Sequence, residues 1–523
     1  MKISRIVAIV LAVLFVLVVA RLGKLNEGGP AHADMMLPGN EPATMYLPGP
    51  GDPFYNQFPK PPAERPAAVV LVHGFTADRE TMSALARRIT ENGYAVLAID
   101  VNGHGENRNP FNNEGPGEGK LRDNLKTAVE FLRGYEQVDG SRIVVMGHSM
   151  GAGATLDYAT HDPNLKGAVM ISGGWTLGPE RPKNALFIFA EHDPADAIQG
   201  PSLALAAHLA GVDKVEPGKQ YGDFASGNAV EAVQVAGVDH AGIIYSTDAA
   251  ATIVKWLDGA FGTTRSGPIE LTEPRTRVAR IALILFLILL VPIGRLCGSM
   301  APEWPKDRAG VSWWIGLLIV GGALLAAMPL ISTATPAAFV PLVIGNIQIS
   351  WFWVASLIMI AVLAAWRWIE WSRIGEGFGA ALLVAAFAFA IIYVCLAAMS
   401  PALHNTTLSP ERLMALAVGS VLMFPFWAGF ELILRRGGLA WSTFVASIGR
   451  VMIFVLTVVG VQLHILPFVL MLVLPILVLN LVMFEIFAAS AYSTSRNLVM
   501  IAAVESLFFT WVLAAANPIT FMF

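Results

Sequence analysis

Short apolar runs alternate with amphipathic helical patterns between residues 67 and 262, and much longer apolar runs fill the chain beyond residue 280. The short runs are residues 67–72, 94–99, 143–146, 168–171 and 185–190. This alternation predicts a mostly parallel sheet covered by helices on both faces. The long runs predict membrane-spanning helices, because one crossing takes about 20 apolar residues.

The second half of the chain is predicted to cross a membrane about eight times. The expected spans lie near residues 281–298, 312–332, 350–367, 378–399, 413–434, 440–462, 466–487 and 498–518. A further apolar stretch, residues 6–20, follows Lys2 and Arg5 and has the form of a signal sequence. Cleavage after Ala33 is the alternative, but Ala33 lies far from the apolar stretch, so we expect an uncleaved anchor.

Two segments rich in Pro and Gly separate these regions, at residues 23–66 and 263–280. The first excludes a persistent helix and predicts a tether, with a short edge hairpin near residues 45–55 as its only regular structure. The expected organisation is an N-terminal anchor (1–22), a tether (23–66), an α/β domain (67–262), a linker (263–280) and a polytopic all-α membrane domain (281–523).

Composition excludes several classes of protein. With 55% hydrophobic and 14% charged residues, the chain is too apolar for an ordinary soluble enzyme. A net charge of −4 provides no basic surface for nucleic acid, so we expect no nucleic-acid partner. Cys297 and Cys395 lie in apolar runs without metal-ligand spacing, and no phosphate-binding loop is present, so we expect no metal and no cofactor.

Positive charges predict the orientation, because cytoplasmic loops are enriched in Lys and Arg. With a cytoplasmic N-terminus, most of these residues fall in cytoplasmic loops, whereas the opposite loops hold little besides Arg412. The cytoplasmic set is Arg295, Lys306, Arg308, Arg367, Arg373, Arg435, Arg436 and Arg496. The α/β domain is therefore expected outside the cytoplasm, in the periplasm of a cell with two membranes. Three arginines at residues 275–280 oppose this, but they border a large translocated domain, where the rule is weak.

A G-x-S-x-G motif follows the run at residues 143–146 and opens a helical pattern at residues 152–159. It consists of Gly147, His148, Ser149, Met150 and Gly151. In a strand–turn–helix context the glycines permit a sharp turn that exposes the serine hydroxyl. Ser149 is therefore the predicted nucleophile.

A nucleophilic serine needs a histidine base and a carboxylate that orients it, in the chain order Ser, acid, His. The histidines of the α/β domain after Ser149 are His161, His192, His208 and His240. His240 follows an apolar run and is the expected base, whereas His208 lies in a helical apolar run and is expected to pack. Asp193 is the expected acid, with Glu191, Asp196 and a helix N-cap role for Asp193 as alternatives.

An oxyanion hole needs two backbone N–H donors. The residue after the serine, Met150, is one expected donor, and the turn after the first strand of the α/β domain supplies the other. Within that turn Phe75 is preferred, and Thr76 or a simple strand-end turn are the alternatives. His73 is expected to hydrogen-bond within the turn.

The segments HGFTA, GHSMGAGATL, AEHDPAD and DH occur in this order and resemble the α/β-hydrolase superfamily. The combination is most similar to the dienelactone-hydrolase and cutinase-like polyesterase branch. The resemblance implies that Ser149, Asp193 and His240 form a triad and that Trp175 walls the acyl pocket, with simple packing as the alternative for Trp175. Dienelactone hydrolases proper use cysteine, so the serine leaves ester hydrolysis as the expected reaction.

Ionisable residues within apolar helices are costly and mark pairing or pathways. Arg450 and Glu505 lie at similar predicted depths, so we expect them to pair, with a substrate or ion route as the alternative. Glu431 and Glu485 lie nearer the predicted interface and are expected to be solvated.

These patterns together predict a membrane-embedded serine hydrolase, a carboxylesterase or lipase-like enzyme that acts on an ester or lipid-like substrate beside the lipid bilayer. Only about a dozen residues separate the runs at 168–171 and 185–190, so no large cap covers the predicted site. One alternative is an acyltransferase that passes the acyl group from Ser149 to a lipid or glycan. Another is a transporter or assembly protein with a regulatory hydrolase domain.

Overall fold

A computed structural model describes residues 2–49, 65–111, 118–174, 181–303, 312–331, 340–365, 377–472 and 474–520. Within these residues the chain forms an α/β unit, which we define as residues 31–262, and a set of long apolar helices.

Nine strands form one mixed sheet in the order β1-β2-β4-β3-β5-β6-β7-β9-β8. The strands are β1 (Ala31–Leu37), β2 (Glu41–Leu47), β3 (Ala68–Val72), β4 (Ala95–Ile99), β5 (Ile143–His148), β6 (Gly167–Ile171), β7 (Ala185–Ala190), β8 (Gln220–Tyr221) and β9 (Val230–Val235). The central six strands are parallel, whereas β1, β2 and β8 pair antiparallel at the two edges. The parallel strands β3 to β7 are apolar and fully buried.

Five helices cover the two faces of this sheet. They are α2 (Ser83–Glu91), α3 (Glu118–Gly134), α4 (Met150–Ala159), α5 (Gly200–Ala210) and α6 (Thr247–Phe261). Helices α2 and α6 pack on one face through residues such as Ile89 and Trp256, and α3, α4 and α5 pack on the other. The predicted α/β-hydrolase fold, with helices on both faces of a mostly parallel sheet, is confirmed.

Residues 31–47 form an edge hairpin that the sequence analysis does not predict, and residues 50–55 of the hairpin predicted near residues 45–55 lie outside the described residues. Residues 31–47, expected to belong to a tether, form β1 and β2, and β2 continues the sheet by pairing with β4. The three residues between these strands are Pro38, Gly39 and Asn40, and both Gly39 and Asn40 have positive φ, as a tight turn requires. Proline excludes a helix here, but it does not exclude edge strands.

In the part of the chain that the structure describes, nine helices are long and apolar enough to cross a membrane. They are α1 (Lys2–Glu27), α7 (Pro274–Met300), α8 (Trp313–Ala327), α9 (Gly345–Ala365), α10 (Phe378–Ala397), α11 (Pro410–Leu434), α12 (Leu439–Gln462), α14 (Leu474–Tyr492) and α15 (Leu498–Ala516). A single turn, α13 (Val469–Leu472), precedes α14. The seventh predicted span therefore begins later than expected. The chain first turns beyond α12, where the N–H groups of Ile465 and Leu466 donate to the carbonyl of Gly460.

The apolar helices meet the α/β unit at the loops that follow β3 and β4. Arg412, at the start of α11, is buried and donates to the carbonyl of Gly103 at 2.9 Å and to that of Asn517 at 2.9 Å. The N–H of Phe111 donates to the carbonyl of Ile519, and the N–H of Ile519 donates to that of Gly103. The loop after β4, the start of α11 and residues 517–519 are therefore joined by one set of hydrogen bonds.

Candidate active site

Ser149 occupies a strained turn between β5 and α4. Its φ of 54° and ψ of −117° lie in a region that non-glycine residues rarely adopt. The turn also requires close backbone approach, because a Cβ atom on Gly151 would lie 2.5 Å from the carbonyl oxygen of His73. Strand pairing of β3 with β5 brings these backbones together and presents Ser149 at the carboxyl edge of the sheet.

His240 lies in the loop after β9 and reaches the serine hydroxyl. Its Nε2 atom is 2.9 Å from Ser149 Oγ, so the hydroxyl donates to the imidazole. Its Nδ1 atom is 2.6 Å from Asp193 Oδ1, so that nitrogen carries the other proton. All three side chains belong to buried residues. The structure therefore brings Ser149, His240 and Asp193, all predicted from the sequence, into one chain of hydrogen bonds.

Asp193 is held by more than the histidine. Its Oδ2 atom accepts a hydrogen bond from Ser172 Oγ at 2.6 Å and another from the N–H of Ala190 at 2.8 Å. Burial alone would raise the pKa of Asp193, but the hydrogen bonds from His240 and Ser172 outweigh burial and lower the pKa. Asp193 is therefore ionised at neutral pH and orients the imidazole.

Neither of the alternative acids, Glu191 and Asp196, occupies the position of Asp193 beside His240. Glu191 is exposed and accepts from the N–H of Gly237, and Asp196 is exposed. The N-cap alternative for Asp193 is not supported, since the turn at Ala195–Gln199 has no side-chain cap. Among the other candidate bases, His161 and His192 are exposed. His208 is also exposed, so the expectation that it packs in the core is wrong: it lies on the solvent side of α5.

His148 is a part of the site that the sequence analysis did not identify. Its Nε2–H donates to the backbone carbonyl of His240 at 2.8 Å, and the two imidazole rings lie 4.9 Å apart. Burial, together with the positive charge of a protonated His240, lowers the pKa of His148 to about 3. A neutral His148 thus positions the backbone of the base. The x position of G-x-S-x-G carries no signal for this contact.

The turn after β3 lies directly against the nucleophile. A Cβ atom on Gly74 would be 3.1 Å from the Cβ atom of Ser149. Neither the N–H of Phe75 nor that of Met150 donates a hydrogen bond to another described group, so both remain available to a ligand. His73 hydrogen-bonds to the carbonyl of Gly74 and accepts from the N–H of Val101, which confirms its expected role within the turn.

The loop between α10 and α11 also contacts the turn after β3. His404 Nε2 lies 3.1 Å from the carbonyl oxygen of Thr76, a residue with φ of 62°. Asp78 accepts hydrogen bonds from the N–H groups of Thr81 and Asn405. Burial would raise the pKa of Asp78, but His404 and these bonds lower it. No sequence pattern indicates that a loop more than 300 residues away contacts this turn.

Trp175, the predicted wall of the acyl pocket, lies outside the described residues. Among the residues that the structure describes, no group of three or more His, Cys, Asp or Glu side chains could hold a metal ion.

A charge cluster lies within the apolar helices, at the end remote from the α/β unit. Arg450 pairs with Glu505, as predicted, but it also pairs with Glu431 at 3.0 Å and with Glu485 at 2.9 Å. Arg435 contacts the same two glutamates. The expectation that Glu431 and Glu485 are solvated is therefore wrong. The i,i+4 spacing makes Glu431 and Arg435 neighbours at the end of α11, and both side chains are fully buried.

Comparisons with known proteins agree with the fold and with the motif order. The family model described as Serine aminopeptidase, S33, matches residues 63–192. The chain is 33% identical to Cutinase est2 of Thermobifida alba over 134 residues, which are 25% of this chain and 43% of the relative. It is 32% identical to Bis(hydroxyethyl) terephthalate hydrolase of Streptomyces coelicolor over 120 residues, 22% of this chain and 35% of that protein.

A further relative, Cutinase 2 of Thermobifida cellulosilytica, is 32% identical over 105 residues, 20% of this chain and 38% of the relative. The chain thus spans less than half the length of these curated relatives. The resemblance to α/β hydrolases and cutinase-like polyesterases that the motifs predict is confirmed for this part of the chain.

Proposed function

We propose that this protein is a membrane-embedded serine hydrolase that cleaves esters through an acyl-enzyme. The observation that carries the proposal is the hydrogen-bonded sequence Asp193–His240–Ser149 at a strained strand-to-helix turn. An alcohol becomes a useful nucleophile only when a neighbouring base removes its proton during attack. The arrangement supplies that base and also fixes its tautomer.

In the proposed mechanism Ser149 Oγ attacks the ester carbonyl carbon while His240 Nε2 takes the hydroxyl proton. The carbonyl oxygen becomes an oxyanion, which the N–H groups of Phe75 and Met150 stabilise at the N-terminus of α4. His240 then returns the proton to the departing alkoxide, the alcohol leaves, and the acyl group remains on Ser149. A water molecule, activated by the same imidazole, releases the acid and restores the serine.

The similar proteins favour esters as the substrate class. Their printed names are those of cutinases and of a terephthalate hydrolase. The ionised Asp193 keeps His240 in the tautomer that an acyl-transfer reaction needs, which is compatible with ester cleavage.

The apolar helices support an integral membrane protein with the α/β unit on the extracytoplasmic side. Alternate crossing places the loops that contact the α/β unit, residues 398–409 and 517–520, at the same end as the α/β unit. The charge bias of the other loops favours the cytoplasm for the opposite end.

Labelling with a fluorophosphonate probe tests the proposed mechanism. Purified wild-type protein should be labelled, and Ser149→Ala and His240→Ala should abolish labelling because the nucleophile or its base is lost. Asp193→Asn should lower the turnover number for p-nitrophenyl acetate by about 10⁴-fold, since the imidazole takes the wrong tautomer.

Ser141→Ala is the matched control, because Ser141 is an exposed serine of the same α/β unit. This variant should label like the wild type. Undiminished labelling of Ser149→Ala would refute the proposed nucleophile.

A further inference from the structure

A pocket lies where the turn after β3 meets the apolar helices. It is partly open to solvent, and its lining is mostly apolar. Phe75 and Thr76 of the α/β unit form one side. The other sides come from α9, α13, α14 and α15. Neither half of the protein could form this pocket alone.

The walls are mostly aliphatic and aromatic, and they include two amides. Leu477, Val512 and other apolar side chains line the pocket together with Gln348 and Asn480. Asn480 is only 6% exposed, yet its amide makes no hydrogen bond to any residue that the structure describes. This amide is therefore available to hydrogen-bond to a polar group of a ligand. The lining therefore fits an amphiphile: an apolar chain with a polar group attached.

One turn connects the pocket with the proposed nucleophile. Gly74 lies against Ser149, and the next two residues, Phe75 and Thr76, line the pocket. The Phe75 ring is held by edge contacts with His104 at 5.7 Å and with Phe111 at 6.0 Å between ring centroids. The residue that is expected to donate to the oxyanion therefore also forms part of the pocket wall.

We propose that this pocket binds the acyl chain of a membrane lipid ester, so that the substrate reaches Ser149 from the bilayer. This inference rests on the proposed hydrolase function and specifies its substrate class. The helices α9, α14 and α15 that form the walls are among those long and apolar enough to cross a membrane. A lipid chain can pass between such helices with little change in its apolar surroundings.

Photocrosslinking tests the position of the chain. The full-length protein in lipid nanodiscs is treated with a fluorophosphonate that carries a long alkyl chain with a terminal diazirine, and it is then irradiated. Reaction at Ser149 fixes the head group, and we expect the crosslinks to map to residues 469–480 or 509–517. Crosslinks confined to the α/β unit or to lipid would overturn the pocket assignment. An absence of phosphonylation would instead refute the proposed hydrolase function.

A matched pair of substitutions tests the same proposal by kinetics. Val512→Trp fills the pocket, whereas Val421→Trp places the same side chain on α11 at a position that is 72% exposed. We expect the ratio of kcat/KM for a twelve-carbon ester to that for an acetate ester to fall at least tenfold in Val512→Trp. The ratio should stay within twofold of wild type in Val421→Trp. An unchanged ratio in Val512→Trp would overturn the proposal.

If Val512→Trp is not folded, Ala516→Val introduces a smaller obstruction into the same pocket, and the crosslinking experiment needs no substitution. For the smaller variant we expect the ratio to fall about threefold. A ratio equal to that of wild type would count against the proposal.

Discussion

At the scale of single residues, the site depends on two histidines with opposite tasks. His240 exchanges a proton with Ser149, whereas His148 stays neutral and donates to the His240 backbone. The low pKa of His148 follows first from its burial. Because an imidazolium there would face the catalytic histidine at close range, protonation of His148 opposes the folded site.

This linkage predicts an acid sensitivity of the folded state. The pKa of His148 falls from an ordinary value of 6.5 to about 3 in the native protein, so the unfolded chain binds one more proton between these values. The contribution to stability is complete above pH 6.5 and is lost as the pH falls towards 3. Relative to His148→Gln, the wild type should lose up to about 1.4 kcal/mol of unfolding free energy per pH unit in this window.

Denaturant unfolding of both proteins in nanodiscs at pH 6.5 and pH 5, followed by tryptophan fluorescence, measures this difference. His73 and His104 also have lowered pKa values through burial, but they are present in both proteins and cancel in the comparison. If the unfolding free energy changed equally with pH in the two proteins, His148 would not contribute to the acid sensitivity.

The sequence analysis identified the three triad residues but not the residues that hold the triad and the adjacent turn in place. Ser149, Asp193 and His240 follow from a motif and from the chain order of acid and base. Ser172 and His404 act through contacts between segments that only the folded chain brings together. No local pattern marks such residues, because their neighbours in space are distant in sequence.

At the scale of elements, the turn between β5 and α4 depends on glycine for space. On Gly151 a Cβ atom would lie 2.5 Å from the His73 carbonyl oxygen and 2.8 Å from that of Val72, and neither backbone can easily move within the sheet. Gly134, the last residue of α3, has open space around it. The two glycines therefore provide a matched comparison.

Gly151→Ala should destabilise the α/β unit by about 1–3 kcal/mol and reduce fluorophosphonate labelling, because β3 and α4 must separate. Gly134→Ala should be neutral or stabilise by about 0.5 kcal/mol, since alanine loses less backbone entropy in a helix. Thermal unfolding and labelling of the two variants provide the measurements. A Gly151→Ala protein with wild-type stability and labelling would contradict the close-approach argument.

Element prediction succeeded where apolar runs were continuous, both in the short runs of the buried strands and in the long runs of the apolar helices. The buried strands β3 to β7 and most long helices match their expected positions within a few residues. It failed at the edge hairpin of residues 31–47, where the abundance of proline outweighed the strand pattern. Edge strands tolerate proline, whereas central strands do not, so edge strands are harder to recognise from the sequence.

At the scale of the whole molecule, the two halves meet at one end of the helices and the charge cluster lies at the other. Connectivity fixes this relation, since each long helix reverses the side of the next loop. The proposed extracytoplasmic position of the α/β unit therefore predicts the side of the membrane on which each loop lies.

Cysteine accessibility tests that orientation. In a chain whose Cys297 and Cys395 are replaced by alanine, Ser141→Cys in the α/β unit and Ser493→Cys in the loop after α14 introduce single thiols at exposed positions. A membrane-impermeant maleimide should label Ser141→Cys in intact spheroplasts, and Ser493→Cys only after permeabilisation. The reverse pattern would invert the proposed orientation.

The hydrogen bonds that Gly103 and Phe111 make with Ile519 have a consequence for biosynthesis. Domains generally fold as they are synthesised, N-terminal parts first. The sheet of the α/β unit is complete once β9 has emerged, but the loop after β4 must wait for its partners until all the long helices have been made. Arg412, which binds the same loop, lies 309 positions after Gly103. During translation the nascent chain therefore passes through a state in which the sheet is assembled but the loop after β4 lacks these partners, and that state lasts until α15 has been made.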